Sequence, residues 1–132
     1  MIQKRMELSI KQAYIAMFYF VNSYFAWKQT DDLAVLISAC NPYLFEGGMP
    51  ADLGVWQEWE ESVSKITSKK TLTIEEIFRS MLAFLKLYHQ EVGYELAWVI
   101  EDMESNYNNK ELQKSWLECI ERGIEEGENL KA

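Results

Sequence analysis

A chain of 132 residues with 48% apolar and 14% aromatic side chains is long enough for one domain with its own core and too apolar to be disordered. Its net charge of −8, with a sequence pI of about 4.7, argues against nucleic acid or an anionic membrane as partner, because both are polyanions. Two prolines and six glycines are few, which favours long helices over many short strands.

The opening MIQKRMELS has no apolar stretch followed by a small-residue cleavage site, so no signal peptide is expected and the expected compartment is the cytoplasm. A first helix is predicted over 9–28. Ser9 and Gln12 form a capping-box pair, in which the hydroxyl takes an amide of the first turn and the Gln side chain reaches back. Its most apolar run, AYIAMFYFV, is too short to span a bilayer. Ile15 and Tyr19 lie off its core stripe, so this helix is apolar nearly all round and needs a cover; it ends near Trp27. Thr30, Asp31 and Asp32 supply a cap and negative charge to a second helix, DDLAVLI at 31–37. The loop CNPYLFEGGMPAD follows, and Asp52 is the expected cap of a third helix reaching 63.

Thr73 and Glu76 repeat the capping box before a fourth helix, predicted over 73–91. Its apolar residues Ile74, Ile77, Phe78, Met81, Leu82, Leu85 and Tyr88 fall on the i, i+3, i+4, i+7 stripe. Gly93 breaks it. A fifth helix is predicted in YELAWVI at 94–100, and Asn108 with Glu111 is the expected cap of a sixth at 109–120. No segment alternates with period two, so the expected fold class is all-α, one domain of about six helices spanning 1–132.

The helices repeat. LSIKQAYIAMFYFVNSYF at 8–25 aligns without a gap on LTIEEIFRSMLAFLKLYH at 72–89, pairing Leu8 with Leu72, Tyr14 with Phe78, Phe20 with Phe84 and Tyr24 with Tyr88. The second helices align at an offset of 63, and the third helices at 57, where Trp59 meets Trp116. Two three-helix units, about 8–68 and 72–128, related by an approximate twofold, are therefore expected, with the two first helices at the centre. The shrinking offset places six extra residues in the first unit's loop, which carries Tyr43, Leu44 and Phe45. This insert of 41–51 either folds back as a lid on Ile15 and Tyr19 or offers a surface to a partner.

Catalytic chemistry finds few candidates. His89 is the single histidine and takes the place of Phe25 at the end of a core helix, so it reads as structural. It has no local triad signature, and zinc sites with two imidazoles are excluded by count. The pairs Asp31/Asp32, Glu60/Glu61, Glu101/Asp102 and Glu125/Glu126 are adjacent on helices and point about 100° apart, which suits caps and solvated faces better than a hydrolytic cleft. EGGMP lacks the Lys-Ser/Thr of a phosphate loop. Cys40 and Cys119 lack metal-ligand spacing and read as buried thiols in a reducing compartment. The chain is therefore not expected to be an enzyme, and neither cofactor nor metal is implied.

The charge is concentrated. Glu91 to Glu128 holds eleven acids against three bases, a balance equal to the whole net charge. The runs AYIAMFYFVNSYF, DDLAVLIS, a loop with GG and ADLGVWQEWEESV, within residues 8–66, resemble the small acidic bacterial immunity proteins of contact-dependent growth inhibition and polymorphic-toxin systems. The resemblance implies a cytosolic protein that binds a cognate toxin domain, often a basic nuclease, and plugs it without catalysis. Acidic charge would then speed association and aromatic anchors would slow dissociation. On this reading Asp31, Asp32, Glu101, Asp102 and Glu104 are the electrostatic candidates, and Tyr43, Phe45 and Trp56 the anchors. Two alternatives stand beside it. One is a homodimer or larger assembly of structural or regulatory kind, using Ile15, Tyr19 and the insert. The other is a small-ligand domain with a cavity lined by Tyr14, Tyr24, Tyr88 and His89.

Overall fold

The computed structural model describes residues 6–43 and 53–129, with side chains through 127, as a mostly helical single domain of six helices and a small two-stranded antiparallel sheet. The elements run β1 (Glu7–Ser9), α1 (Ile10–Trp27), α2 (Asp31–Cys40), α3 (Leu53–Ser64), β2 (Thr71–Thr73), α4 (Ile74–Leu87), α5 (Ala97–Ser105) and α6 (Lys110–Asn129).

The domain is mostly helical with six helices, as expected, and the small sheet is an addition to that reading. β1 and β2 are three residues each, too short for an alternation to be visible. They pair Glu7 with Thr73, Leu8 with Leu72 and Ser9 with Thr71, and the Thr71 hydroxyl donates to the Glu7 carboxylate. Leu8 and Leu72 face the core, fully buried, where the ladder satisfies backbone groups that would otherwise lie unpaired. Each strand ends on the residue that caps the next helix. Gln12 N–H donates to Ser9 Oγ at 3.0 Å and Glu76 N–H to Thr73 Oγ1 at 3.2 Å, and both N3 side chains return the bond. Both expected capping boxes are thus formed.

Thr30 caps α2, with Asp31 and Asp32 in its first turn, as the sequence predicts. The cap of α6 is one residue later than expected. Asn109, not Asn108, accepts the N–H groups of Glu111 and Leu112. Asp52 lies outside the described residues. α4 widens into a π-helical turn over Tyr88–Val92 and stops at Gly93, whose φ of 92° is left-handed and cheap only for glycine. His89 closes this turn: its Nδ1 lies 2.9 Å from the Tyr94 carbonyl oxygen.

α1 is the hub, touching α2, α3 and α4 and packing most extensively on α6. This answers what covers its back. Ile15 is fully buried, and the last turns of α6 lie close against α1 at Gly123 and Gly127. A Cβ at Gly123 would sit 2.5 Å from the Gln12 carbonyl oxygen and 3.0 Å from Ala16 Cβ, so only glycine permits the approach. Of the expected lid, the described residues reach Tyr43. Tyr43 packs on Phe18 and Tyr19, while Leu44 and Phe45 lie outside the described residues.

The core is built on two indoles. Trp59 lies edge-on between Tyr14 and Phe84, with ring centroids 6.0 and 5.8 Å apart. Trp116 lies edge-on between Phe20 and Phe78, at 5.1 and 5.5 Å. Edge-to-face contacts of this kind add about 0.5–1.5 kcal/mol beyond area burial. Trp59 Nε1 donates to the Ile10 carbonyl at 3.2 Å, whereas Trp116 Nε1 is buried with no acceptor.

Candidate functional site

Two adjoining clefts run along the seam between α1 and α6, and both are lined by Ser23 and Ser115. The first, about 350 Å³, opens between the C-terminal half of α1, the end of α5 and the start of α6. Phe20, Tyr24 and Trp27 supply its aromatic wall, and Asp102 and Glu111 its carboxylates. The second, about 590 Å³, continues toward Tyr19 and is edged by Glu118, Glu121, Arg122 and Glu125 of α6. The helical period explains the arrangement: 111, 115, 118, 122 and 125 fall on one face of α6, which flanks the buried stripe of Leu112, Trp116, Cys119, Gly123 and Gly127.

Trp27 stands at the lip of the first cleft and is 67% exposed, the most open large apolar side chain among the described residues. It does not stand alone. Tyr24, Trp27 and Trp98 form a triangle of rings 5.9, 6.0 and 6.1 Å apart, and Lys28 Nζ lies 5.1 Å over the Trp98 ring. Tyr24 donates its hydroxyl to Asp102 Oδ2 at 2.6 Å, and Asn106 donates to Asp102 Oδ1 at 2.9 Å. Burial and the adjacent Asp102 both raise the Tyr24 pKa, so the phenol keeps its proton and acts as the donor.

The far end of the seam has its own cluster. Tyr19 and Tyr43 both donate to Glu126 Oε1, the former at 2.6 Å, and the Arg122 guanidinium lies 4.3 Å over the Tyr19 ring. Partial burial alone would raise the Glu126 pKa. The two phenols and Arg122 outweigh it and hold the carboxyl below its ordinary value.

The sequence-predicted residues occupy separate places. Asp102 lies in the first cleft. Asp31 is exposed at the start of α2, four residues after Trp27, and Asp32 Oδ2 accepts the Glu95 N–H at 2.7 Å, tying α2 to the approach to α5. Glu101 is exposed on α5. Glu104 is ion-paired with Lys86 at 2.7 Å and lines a different cleft, with Phe78 and Tyr107. Tyr43 reaches the far end of the seam. Trp56 is half-buried, edge-on to Tyr14 at 5.4 Å, which is a poor setting for an anchor. Phe45 lies outside the described residues.

The residues named for the two alternatives are placed as follows, with 44–51 of the insert outside the described residues. Ile15 is fully buried inside the domain and is no self-association face. The hydroxyls of Tyr14, Tyr24 and Tyr88 donate to the Cys40 carbonyl, Asp102 and Glu58 respectively. Residues that sequence reasoning left out of the site are Trp27, Trp98, Glu111 and Ser115. The acid count of 91–128 pointed toward the stretch that holds Trp98, Glu111 and Ser115, but not toward Trp27. Both cysteines are free and buried, and burial pushes each thiol up to about 12, so neither is a thiolate at neutral pH. No helix among the described residues is long and apolar enough to cross a membrane. Comparison with protein families, with curated proteins and with solved structures finds no match.

Proposed function

We propose that this chain is a cytosolic immunity protein that binds a cognate basic toxin domain, such as a nuclease, and neutralises it by contact without catalysis. The observation that carries the reading is the α1–α6 seam, where carboxylates flank an exposed indole. Acidic charge beside exposed aromatic rings suits a basic protein surface. The charge raises the encounter rate, and desolvated rings slow release. Free buried thiols suit a reducing compartment.

The architecture belongs to the same proposal: two three-helix units related by an approximate twofold. Support comes from contacts that recur under the offset of the repeat. Leu8 pairs with its counterpart Leu72, and Glu7–Thr73 is the mirror of Ser9–Thr71. Trp59 between Tyr14 and Phe84 has its counterpart in Trp116 between Phe78 and Phe20. Contacts of the type i-to-j and j-to-i are what a twofold generates.

The test is capture on the tagged full chain from its native cell at low and then high salt, followed by co-expression of what is captured. A basic protein that arrests growth alone, is tolerated with this chain, and is released by salt fits the reading. Recovery of the bait alone, at a scattering mass above a monomer, overturns it in favour of a self-assembling helical protein.

A further inference from the structure

We infer that the first cleft is a receptor for a guanidinium group, and that the partner fills it with an arginine side chain; this rests on the partner-binding reading and names the contact. The argument starts from a difference between the halves. Tyr88 is the counterpart of Tyr24, and its hydroxyl donates to Glu58 of α3. Glu58 precedes Trp59 as Ser115 precedes Trp116, so Ser115 stands in the place of Glu58. In that half the long carboxylate side chain spans the space beside the tyrosine. At Ser115 the side chain stops at one oxygen and the space stays open as the cleft.

The acceptor for the tyrosine has moved to α5. Asp102 takes the Tyr24 hydroxyl, and under the repeat offset its counterpart is Ala39. The two substitutions together vacate a pocket while keeping a carboxylate in its wall.

The vacated space has the chemistry of a cation site. Trp27 presents its exposed ring over the buried rings of Phe20 and Tyr24, and Asp102 and Glu111 line the cleft from two different helices. Its volume of about 350 Å³ holds a side chain. Lys28 over Trp98 shows that the adjoining indole already takes a cation from this chain. The start of α6 lies at the same cleft, and its partial positive charge opposes a cation. Asn109 takes the N–H groups of Glu111 and Leu112, and Glu111 adds a full negative charge at that point, so the balance remains negative. Both common cations are attracted to an indole face, but only the planar guanidinium also lies flat on it and forks to carboxylates.

The probe is Nα-acetylarginine amide, titrated at low salt into the labelled full chain and followed by amide and indole chemical shifts. Saturable shifts are expected at Trp27 and along 102–115, with none from the neutral isostere Nα-acetylcitrulline amide and smaller ones from Nα-acetyllysine amide. Asp102→Asn should weaken binding about tenfold, the usual worth of a charge-assisted hydrogen bond. Ser115→Gln, which refills the cleft without changing charge, should abolish it, while Ser115→Ala should not. Both Ser115 variants are checked first for unchanged melting, and if Ser115→Gln fails to fold, Asp102→Asn and the citrulline arm decide. Equal response to citrulline or lysine, shifts spread over all the acids of α6, or full binding by Ser115→Gln would overturn the inference. The toxin reading is judged separately by capture and growth.

Discussion

The packing of α6 on α1 can be tested by the sign of one substitution, Gly123→Ala. In a solvent-exposed helix this change stabilises by about 1 kcal/mol, because alanine is the better helix former. Here the added Cβ lands 2.5 Å from the Gln12 carbonyl oxygen and about as close to Ala16, at 3.0 Å from its Cβ and 3.1 Å from its amide nitrogen. The obstacles are backbone and a first side-chain carbon, neither of which swings away, so α6 must move off α1 by several tenths of an ångström. Overpacking of this kind costs about 1–3 kcal/mol, and a contact nearly an ångström inside van der Waals distance belongs at the upper end. Subtracting the helix gain leaves a net loss of about 2 kcal/mol. For a chain of this length that lowers Tm by roughly 6–10 °C. Equilibrium guanidinium unfolding followed by Trp fluorescence, with a thermal melt by circular dichroism, measures both. A variant as stable as the wild type, or more stable, would refute the close packing and with it the burial of Ile15.

Ser9→Ala and Thr73→Ala should each cost about 1 kcal/mol in the same unfolding assay, since each removes one equivalent cap. Trp59→Phe should cost more than Trp116→Phe by about 1 kcal/mol, because only Trp59 loses a hydrogen bond, to Ile10; Trp116 merely loses an N–H that has no acceptor. Between pH 8 and 10 stability should fall. The Cys40 and Cys119 thiols are raised from 9.0 to about 12, so the unfolded chain releases these protons first, and the stabilisation present below the unfolded value drains away as pH rises toward the folded one. Replacing both cysteines by alanine should flatten that slope, read as midpoint against pH.

Helix positions were legible because their signals are local. A capping box, a stripe of apolar residues and a glycine at a positive-φ stop are each contained in a few residues, and Ser9/Gln12, Thr73/Glu76 and Gly93 formed as read. What was missed depends on contacts between distant segments. Three-residue strands carry no period, and β1 exists because β2 meets it across 64 residues. Gly123 and Gly127 lie beyond the predicted end of the sixth helix, and their role depends on α1 lying against them. Trp27 read as a helix end, and its meaning depends on Trp98 and Tyr24 arriving beside it. The candidate acids divided for the same reason: Asp102 and Glu104 are two residues apart on α5, so they point to different sides, one to Tyr24 and the other to Lys86.

Under the proposed twofold, the differences between the two units have a common address. α6 is 20 residues long where α3 is 12, and the added turns carry the glycines that close over α1. In the proposed repeat the same helix has Ser115 aligned with Glu58, and its exposed face carries Glu111, Glu118, Glu121 and Glu125. Its extension thus buries one side of α1 while leaving an open, acidic seam along the other. A helix fixed at its far end by Gly123 and at its start by Trp116 cannot close that seam by shifting inward, because Phe20 and Phe78 already fill the space beneath the indole. The seam is therefore held open by core packing, and a partner that enters it meets a preformed surface, which spares the ordering cost that a collapsible groove would impose.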